Sequence, residues 1–367
     1  MNKPPPLILA IDTSCDDTSV AITCGSYVLS NVIASQTELH RQYGGVFPTV
    51  AKQAHKENIA PTVLAALKRA GVTWEDMQAI AVTQGPGLAP ALEVGITQAK
   101  QYATQYQLPL IPVNHLEGHL LSVLARPKPR GTPWQKLGSE LSNINNALGI
   151  IVSGGHTLFV QVQRIGEYTT LGQTLDDAAG ECLDKIGRML NLGYPAGPVI
   201  EQFAKNGNPK AIAFPLPLTT TKTYDLSFSG LKTAARNLLE ENSTTKVLQK
   251  QELYDFCASI QYAVFRHITY KLSKLLENQE FTQIWLGGGV ATNATLRRMI
   301  RETMSSHKDQ VRNPKLATPY SKKLCMDNAA MIGIVASYKL TDLTTGVENY
   351  NSVVERRPRW ELSQLIT

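Results

Sequence analysis

The same succession of strand, short polar turn and strand is predicted near the start of the chain and again near its middle. The first copy covers residues 7–23 and the second covers residues 148–162. A third strand is predicted after each copy, at 27–34 and at 168–171. Two stretches with one layout indicate a duplicated unit. The sequence therefore predicts a duplicated α/β fold with two lobes and a cleft between them.

The length and composition are those of a globular protein. A chain of 367 residues can bury a large core and should form one bilobal unit or two domains. No run approaches the roughly 18 apolar residues that span a bilayer. The N-terminus passes straight into a predicted strand, without the features of a signal or transit peptide. These observations predict a cytoplasmic protein that does not enter a membrane.

The cysteines and the net charge exclude some classes of protein and permit others. The five cysteines are scattered and form no C-x-x-C pair, which argues against a disulfide framework and against a cysteine-rich zinc cluster. The formal charge of +6 and the isoelectric point near 8.9 permit a polyanionic partner such as nucleic acid. No long basic tract requires such a partner.

Apolar residues at helical spacing predict the helices. Two segments are long, at 48–70 and at 253–276, and the second is the longest. Shorter helices are predicted at 91–104, 174–190, 229–240 and 294–303. The buried face of the longest helix is predicted to consist of Phe256, Ile260, Val264, Ile268 and Leu272.

Two histidines follow a short apolar run at 108–113 that is predicted as a buried strand. His115 and His119 are four residues apart, so in a helix they lie on one face. Neutral imidazoles at this spacing can bind a divalent transition metal, although a helix start whose histidines cap or pack has the same spacing. Glu117 lies midway between them and projects away, unlike the general base of the H-E-x-x-H proteases. A metal site would need at least one more ligand from elsewhere.

Asp327 is a candidate for that missing ligand. It opens an apolar C-terminal helix predicted from Leu324 onwards. An acidic residue at this position either caps the helix or supplies a carboxylate to a metal.

Two glycine turns at the ends of predicted strands indicate an anion site. Ser153, Gly154 and Gly155 form the turn of the second hairpin, where backbone amides can approach phosphate oxygens. Gly287–Gly289 lies between a strand and a helix, which is typical of a nucleotide-binding turn.

The helix predicted at 174–190 has an unusually acidic beginning. Asp176 and Asp177 in a first turn would interact favourably with the helix dipole. Asp184 lies deeper in the helix and has no such explanation, so we regard it as a candidate site residue.

Taken in chain order, the motifs of this sequence resemble those of the TsaD family, the transferases that form threonylcarbamoyladenosine in tRNA. The resemblance implies an actin-like/Hsp70-like fold of the ASKHA superfamily, with a duplicated bilobal architecture and a central cleft. The motifs that carry it cover nearly the whole chain. They are 11–20 (IDTSCDDTSV), 43–46 (YGGV), 85–88 (GPGL), 114–119 (NHLEGH), 152–157 (VSGGHT), 174–185, 194–198 (YPAGP), 227–233 (SFSGLKT), 288–293 (GGVATN) and 327–331 (DNAAM).

The resemblance also implies the site residues. His115, His119 and Asp327 would be the ligands of one divalent metal ion per subunit, with Fe2+ favoured and Zn2+ as the alternative. Asp12, Asp16 and Glu117 are unranked candidates for a general base, and Asp12 stands where the family commonly has Glu. The residues expected at the nucleotide or acyl-adenylate are Ile151, Val152, Ser153, Gly154, Gly155, Asp184, Gly197 and Asn293.

The activity implied by the resemblance is transfer of a threonylcarbamoyl group from threonylcarbamoyl-AMP to N6 of adenosine 37 in tRNAs that read ANN codons, with release of AMP. The expected partners are tRNA, threonylcarbamoyl-AMP or another ATP/AMP-type nucleotide, a TsaB-like inert paralogue and a TsaE-like P-loop ATPase. The alternatives are a metal-dependent glycoprotein endopeptidase, which the position of Glu117 disfavours, and a non-catalytic nucleotide-binding paralogue, which would be expected to lose metal ligands.

The expected division of the chain follows the duplication. Residues 1–125 should form the N-terminal lobe and 148–325 the C-terminal lobe. Residues 126–147 should connect them as an insertion, and 326–367 should form a C-terminal helix and tail that return to the N-terminal lobe.

Overall fold

A computed structural model describes most of the chain, and the polypeptide divides into two compact units. Unit 1 contains Met1–Ile144, Arg164–Tyr168 and Thr318–Thr367, whereas unit 2 contains Asn145–Gln163 and Thr169–Ala317. The described residues are 4–138, 144–243, 248–310, 316–342 and 354–365.

Unit 1 is built on a six-stranded mixed sheet. The order of its strands is β5-β4-β1-β2-β3-β6. β2 pairs antiparallel with both β1 and β3, while β4 runs parallel to β1 and β5 runs parallel to β4. All six residues of β1 are buried, as expected for an apolar strand covered on both faces. The strands are β1 (Leu7–Asp12), β2 (Asp17–Cys24), β3 (Tyr27–Ser35), β4 (Ala79–Gly85), β5 (Leu110–Asn114) and β6 (Arg126–Pro127).

The long helix of unit 1 begins and ends where the sequence signals predict. The long helix predicted at 48–70 is confirmed, with Pro48 in its first turn and Gly71 in the left-handed conformation after its last residue. The helices are α1 (Thr37–Arg41), α2 (Pro48–Ala70), α3 (Ala89–Tyr106), α4 (His115–Leu121) and, from the end of the chain, α10 (Ala329–Asp342). α10 contacts β1, β2 and α4.

The expected connecting insertion at 126–147 falls partly on residues 139–143, which lie outside the described residues. β6, at its start, runs parallel to β3. Leu137 is buried and packs in the core of unit 1.

Unit 2 repeats the sheet of unit 1. Its strand order is β11-β10-β7-β8-β9, with β7 and β8 antiparallel, β10 parallel to β7 and β11 parallel to β10. The strands are β7 (Ala147–Val152), β8 (Thr157–Arg164), β9 (Glu167–Gln173), β10 (Gln283–Gly287) and β11 (Leu316–Ala317). The succession β9-β8-β7-β10-β11 matches β3-β2-β1-β4-β5 of unit 1. The predicted duplication of an α/β fold is therefore confirmed.

The longest helix of the described chain supplies much of the core of unit 2. All five residues predicted for its buried face are at most 2% exposed, and they pack in one cluster with β7 and β10. The helices of this unit are α5 (Ala179–Met189), α6 (Gly197–Ala204), α7 (Ser229–Ser243), α8 (Lys250–Leu276) and α9 (Ala294–Ser306).

The prediction that a helix begins at Thr174 was wrong, because α5 begins at Ala179. Thr174 instead forms a parallel bridge with Leu226. The Asp176 carboxylate accepts hydrogen bonds from the backbone amides of Phe228 and Ser229 at 2.7 and 3.2 Å. These hydrogen bonds hold residues 174–178 in a bent loop before α5, and the Asp176 carboxylate caps α7 rather than α5.

No helix in the described parts of the chain combines the length and the apolar character needed to cross a membrane.

Candidate metal and nucleotide sites

The structure places the two histidines directly after a strand, on the short helix α4. Asn114 ends β5 and caps α4, because its Oδ1 accepts hydrogen bonds from the backbone amides of Leu116 at 2.8 Å and Glu117 at 3.3 Å. His115 is then the first residue of the helix and His119 lies one turn further along. The predicted strand followed by a helix is confirmed here.

Asp327 joins the histidines. Its Oδ1 lies 3.0 Å from Nε2 of His119 and 3.5 Å from Nε2 of His115. One potential ligand atom from each of the three residues lies within 4.8 Å of the others. α10 begins at Ala329 rather than at Leu324, and it is Asn328 whose Oδ1 accepts from the amide of Met331 at 3.2 Å. Asp327 is thus not needed as a helix cap, and its carboxylate faces the histidines.

The three side chains fit a divalent metal ion. His119 is fully buried, and in the described part of the chain its Nδ1 has no hydrogen-bond partner, as is also true of Nδ1 of His115. Its Nε2 lies 3.0 Å from Oδ1 of Asp327 but without the geometry of a hydrogen bond. Buried polar atoms normally have partners, because leaving them unpaired costs free energy. A bound cation would supply one for the nitrogens that face Asp327. Two imidazoles and a carboxylate suit both Fe2+ and Zn2+.

A second carboxylate adds negative charge next to the cluster. Oδ2 of Asp12 lies 3.6 Å from Nδ1 of His115, and its Oδ1 accepts from the amide of Ser14 at 3.1 Å. Burial lowers the pKa of His115, but the carboxylates of Asp327 and Asp12 outweigh it and raise that pKa to about 10. Burial would raise the pKa of Asp327, but the two histidines hold it well below its usual range. The carboxylates of Asp12 and Asp327 therefore stabilise positive charge at the histidines.

Asp16, another candidate from the sequence, lies in the turn between β1 and β2. Burial raises the pKa of its carboxyl group. The turn is fixed by His55, whose Nδ1 lies 2.8 Å from Oγ1 of Thr18 and whose Nε2 lies 3.0 Å from the carbonyl oxygen of Cys15. His55 thus holds the shape of the turn.

In unit 2, two parallel strands end side by side at the glycine turns. Gly287 in β10 pairs with Ile151 in β7. Gly288 adopts φ +93°, and a Cβ built on it would lie only 2.3 Å from the carbonyl oxygen of Val152. Ile151 and Val152 are themselves buried in β7. The backbone of the second turn therefore packs directly against the end of β7, at the sheet edge where α/β proteins commonly bind ligands.

The hairpin turn after β7 is open. The amide of Ser153 donates to the carbonyl oxygen of His156 at 2.8 Å, which closes the turn. Gly154 and Gly155 are exposed, and a Cβ built on either would have no neighbour within 4 Å. Packing within the described chain therefore does not explain why these two residues are glycines, whereas close approach of a ligand would.

Of the remaining nucleotide candidates, Gly197 and Asn293 lie at the starts of two helices of unit 2, and Asp184 lies within α5. Oδ1 of Asp184 accepts from the amides of Ala196 at 2.8 Å and Gly197 at 3.0 Å, at the beginning of α6. Asn293 caps α9 through its Oδ1, and its Nδ2 donates to Oε1 of Gln261 at 2.8 Å. These contacts give Asp184 a structural role that the sequence did not reveal, and they bring it together with Gly197.

Comparison with known proteins bears on the same residues. The family model described as "TsaD: tRNA N6-adenosine threonylcarbamoyltransferase" matches residues 27–334, a range that contains every candidate site residue except Asp12 and Asp16. The chain belongs to the TsaD family. A tRNA N6-adenosine threonylcarbamoyltransferase of Clostridioides difficile is 41% identical over 350 residues, which is 95% of this chain and 97% of the relative. One from Acaryochloris marina is 42% identical over 338 residues, covering 91% and 88%.

Solved structures of low sequence identity support the fold. HypF from T. kodakarensis matches with a TM-score of 0.58 and 14% identity, over 95% of this chain and 49% of HypF. Component A of the Acidaminococcus fermentans (R)-2-hydroxyglutaryl-CoA dehydratase matches with a TM-score of 0.50 and 13% identity, over 92% and 99%. Both have ASKHA-type folds, so the predicted fold class is confirmed.

Within this TsaD chain, Glu117 does not join the histidine cluster. Its Oε1 accepts a hydrogen bond from the hydroxyl of Tyr168 at 2.9 Å, and its Oε2 lies 3.3 Å from Nζ of Lys339. Neither partner was predicted from the sequence, nor was Trp360, whose carbonyl oxygen accepts from Nδ2 of Asn114. The sequence did predict that Glu117 points away from the histidines, and an ionisable side chain in that position needs polar partners elsewhere in the fold.

Proposed function

We propose that this TsaD-family protein transfers the threonylcarbamoyl group from threonylcarbamoyl-AMP to N6 of adenosine 37 in tRNAs that read ANN codons, forming t6A and releasing AMP. The observation that carries the proposal is the convergence of His115, His119 and Asp327 in a chain that matches TsaD relatives over nearly its whole length. An inert paralogue would not be expected to keep all three ligands.

His115, His119 and Asp327 would hold one divalent metal ion per subunit, with Fe2+ favoured over Zn2+. When bound, the ion supplies Lewis-acid polarisation of an acyl group. The two histidines are fixed on α4, and Asp12 orients His115 from the side away from Asp327, since these carboxylates approach different ring nitrogens. Partners of this kind orient metal ligands.

Residues of unit 2 would bind the nucleotide portion of the acyl-adenylate. The open turn Ser153–Gly155 would hold the phosphate through the backbone amides of Gly154 and Gly155, since the amide of Ser153 already donates to His156. Ile151 and Val152 at the end of β7 would position this turn. Asp184, Gly197 and Asn293 would contact the nucleoside. The exocyclic amine of adenine is a poor nucleophile, so most of the rate enhancement would come from positioning. The list of proposed nucleotide-binding residues is Ile151, Val152, Ser153, Gly154, Gly155, Asp184, Gly197 and Asn293.

Asp12 and Asp16 remain the candidates for a general base. Burial raises the pKa of Asp16, which would make its carboxylate a better proton acceptor near neutral pH. Burial also acts on Asp12, but His115 outweighs it and lowers the pKa of that carboxyl group. On these grounds we favour Asp16 for accepting a proton and Asp12 for orienting His115.

The proposed partners are tRNA, a TsaB-like inert paralogue and a TsaE-like P-loop ATPase, in the cytoplasm where tRNA is modified. Unit 1 exposes several large apolar side chains that a protein partner could cover, which supports the proposal of a protein complex. They are Leu39, Tyr43, Phe47 and Leu64, each at least 48% exposed.

The test is reconstitution with the purified protein, its partners, tRNA and threonylcarbamoyl-AMP, followed by mass analysis of the tRNA nucleosides. We expect t6A, its loss after chelation, and its return when a divalent metal is added back. His115→Ala and His119→Ala together should abolish the product, and full activity in that variant would refute the metal role. Cleavage of a glycoprotein by the purified protein, with no t6A formed, would establish the endopeptidase instead.

A further inference from the structure

The helix that carries both histidines depends on contacts with the rest of unit 1. α4 has seven residues, too few for a helix that is stable on its own in water. Asn114 caps its first turn and is itself held by Trp360, since Nδ2 of Asn114 donates to the carbonyl oxygen of Trp360 at 3.1 Å. The place of the histidines is therefore set by whatever fixes α4.

The Glu117 carboxylate makes two further contacts that fix α4. Glu117 is 2% exposed, and an unpaired carboxylate at such a site would cost several kcal/mol. The Tyr168 hydroxyl donates to it at 2.9 Å, and Nζ of Lys339 lies 3.3 Å from its other oxygen. Burial, together with the charge on Glu117, raises the pKa of Tyr168, so the phenol stays a neutral donor. Oε1 is thus hydrogen-bonded to Tyr168, whereas Oε2 faces the Lys339 ammonium as an ion pair without a hydrogen bond in the described chain.

Lys339 links this contact to the third ligand. It lies on α10, the helix that begins two residues after Asp327. At the other end of α10 the two helices pack tightly, because a Cβ on Gly118 would lie 3.0 Å from Cγ of Met331 and 3.1 Å from Cδ1 of Ile332. α4 and α10 are therefore joined at two places. Their relative placement sets the distance between the histidines and Asp327.

We propose that Glu117 is a positioning residue of the metal site, which fixes α4 against α10 so that His115 and His119 converge on Asp327. It acts through Tyr168 and Lys339, and it takes no proton in the reaction. The inference rests on the proposed function in one respect, that the three converging side chains hold a divalent metal ion. It assigns Glu117 to metal affinity rather than to the chemical step.

The experiment measures the affinity of the protein for Zn2+ in the absence of tRNA and nucleotide, by competition with a chromogenic chelator. Glu117→Gln keeps an oxygen that can accept from Tyr168 but removes the charge that faces Lys339. The matched control is Glu93→Gln, which removes an exposed carboxylate of unit 1 that pairs with Arg356 at 3.0 Å. We expect Glu117→Gln to weaken Zn2+ binding about 10- to 100-fold, the usual effect of losing a group that orients metal ligands. Glu93→Gln should leave the affinity unchanged.

Two further readouts separate positioning from catalysis. The absorption spectrum of the Co2+-substituted protein should change in Glu117→Gln but not in Glu93→Gln, because it reports ligand geometry. Transferase activity of Glu117→Gln should recover when the metal is raised to saturation. Wild-type Zn2+ affinity in Glu117→Gln would overturn the inference, and so would a loss of activity that saturating metal does not restore.

A second set of variants keeps the inference testable if Glu117→Gln fails to fold. Tyr168→Phe and Lys339→Met each remove one partner and should each weaken Zn2+ binding; wild-type affinity in both would overturn the inference.

His119→Ala separates the inference from the proposed function. If His119→Ala binds Zn2+ normally, the proposed metal site fails; if it loses Zn2+ while the Glu117 and partner variants keep it, only the positioning role fails.

Discussion

Gly288 offers a sharp test of the nucleotide turn in unit 2. Its φ of +93° lies in the region that disfavours residues with a side chain, and a Cβ there would lie 2.3 Å from the carbonyl oxygen and 2.6 Å from the carbonyl carbon of Val152. Both obstacles are backbone, so the strain cannot be relieved by turning a side chain. Replacing Gly288 with Ala must therefore displace either the turn or the end of β7.

The expected loss of stability follows from these two contributions. An L-residue forced into a positive φ costs about 1–2 kcal/mol, and an extra methyl group in a packed site costs about 1–3 kcal/mol. Gly288→Ala should therefore lower the free energy of unfolding by about 2–5 kcal/mol. The next residue provides the control, because Gly289 has no positive φ and a Cβ built on it meets no atom of the described residues within 4 Å. Gly289→Ala should change stability by less than about 0.5 kcal/mol.

Urea unfolding followed by circular dichroism measures the loss of stability. Calorimetric titration with AMP measures whether the nucleotide turn still binds its ligand. Because the end of β7 leads into the open turn Ser153–Gly155, its displacement should weaken AMP binding in Gly288→Ala. Gly289→Ala should keep the wild-type unfolding midpoint and should bind AMP unless the nucleotide occupies the space beside it. Equal unfolding midpoints in the two variants would refute the packing argument.

Three further predictions concern other parts of the molecule. Asp176→Asn should lower the free energy of unfolding by about 1–2 kcal/mol in urea titrations, because its carboxylate accepts four hydrogen bonds at the start of α7. Burial lowers the pKa of His267 to about 4, below the ordinary value near 6.5. As the pH falls, this imidazole is therefore protonated in the unfolded chain before it is protonated in the folded chain. Stability should therefore fall by up to about 3 kcal/mol between pH 6.5 and 4, and His267→Gln, which keeps an acceptor for the amide of Ser227, should lose that part of the pH dependence. Gly118→Ala should weaken Zn2+ binding in the chelator competition, because its Cβ would press against Met331.

The features that could be predicted from sequence depend on local pattern. α2 has proline at its start and glycine after its end, and α8 shows a buried stripe at helical spacing, so both helices were found. The duplication was visible because strand, turn and strand recur in the same order. His115 and His119 could be paired because four residues make one turn of a helix. In each case the decisive neighbours lie within a few residues of one another along the chain.

The features that were missed depend on partners far away in the sequence. Asp176 and Asp177 have the composition of a first helical turn, but the hydrogen-bond donors that hold Asp176 out of the helix lie about fifty residues later. Lys339, which pairs with Glu117, follows it by more than two hundred residues. Asp184 satisfies amides at the start of another helix. A carboxylate in a sequence does not show which donors the fold will bring to it.

The repeated sheet explains why both candidate sites lie where they do. In unit 1 the parallel strands β1 and β5 end at Asp12 and Asn114, and the next residue after Asn114 is His115. In unit 2 the parallel strands β7 and β10 end at Val152 and Gly287. The carboxyl ends of the strands therefore carry acidic and imidazole side chains in unit 1 and glycine turns with accessible backbone amides in unit 2. Because the sheet order is the same, the chemistry differs through the residues that follow each strand: the first set attracts a cation and the second suits a phosphate.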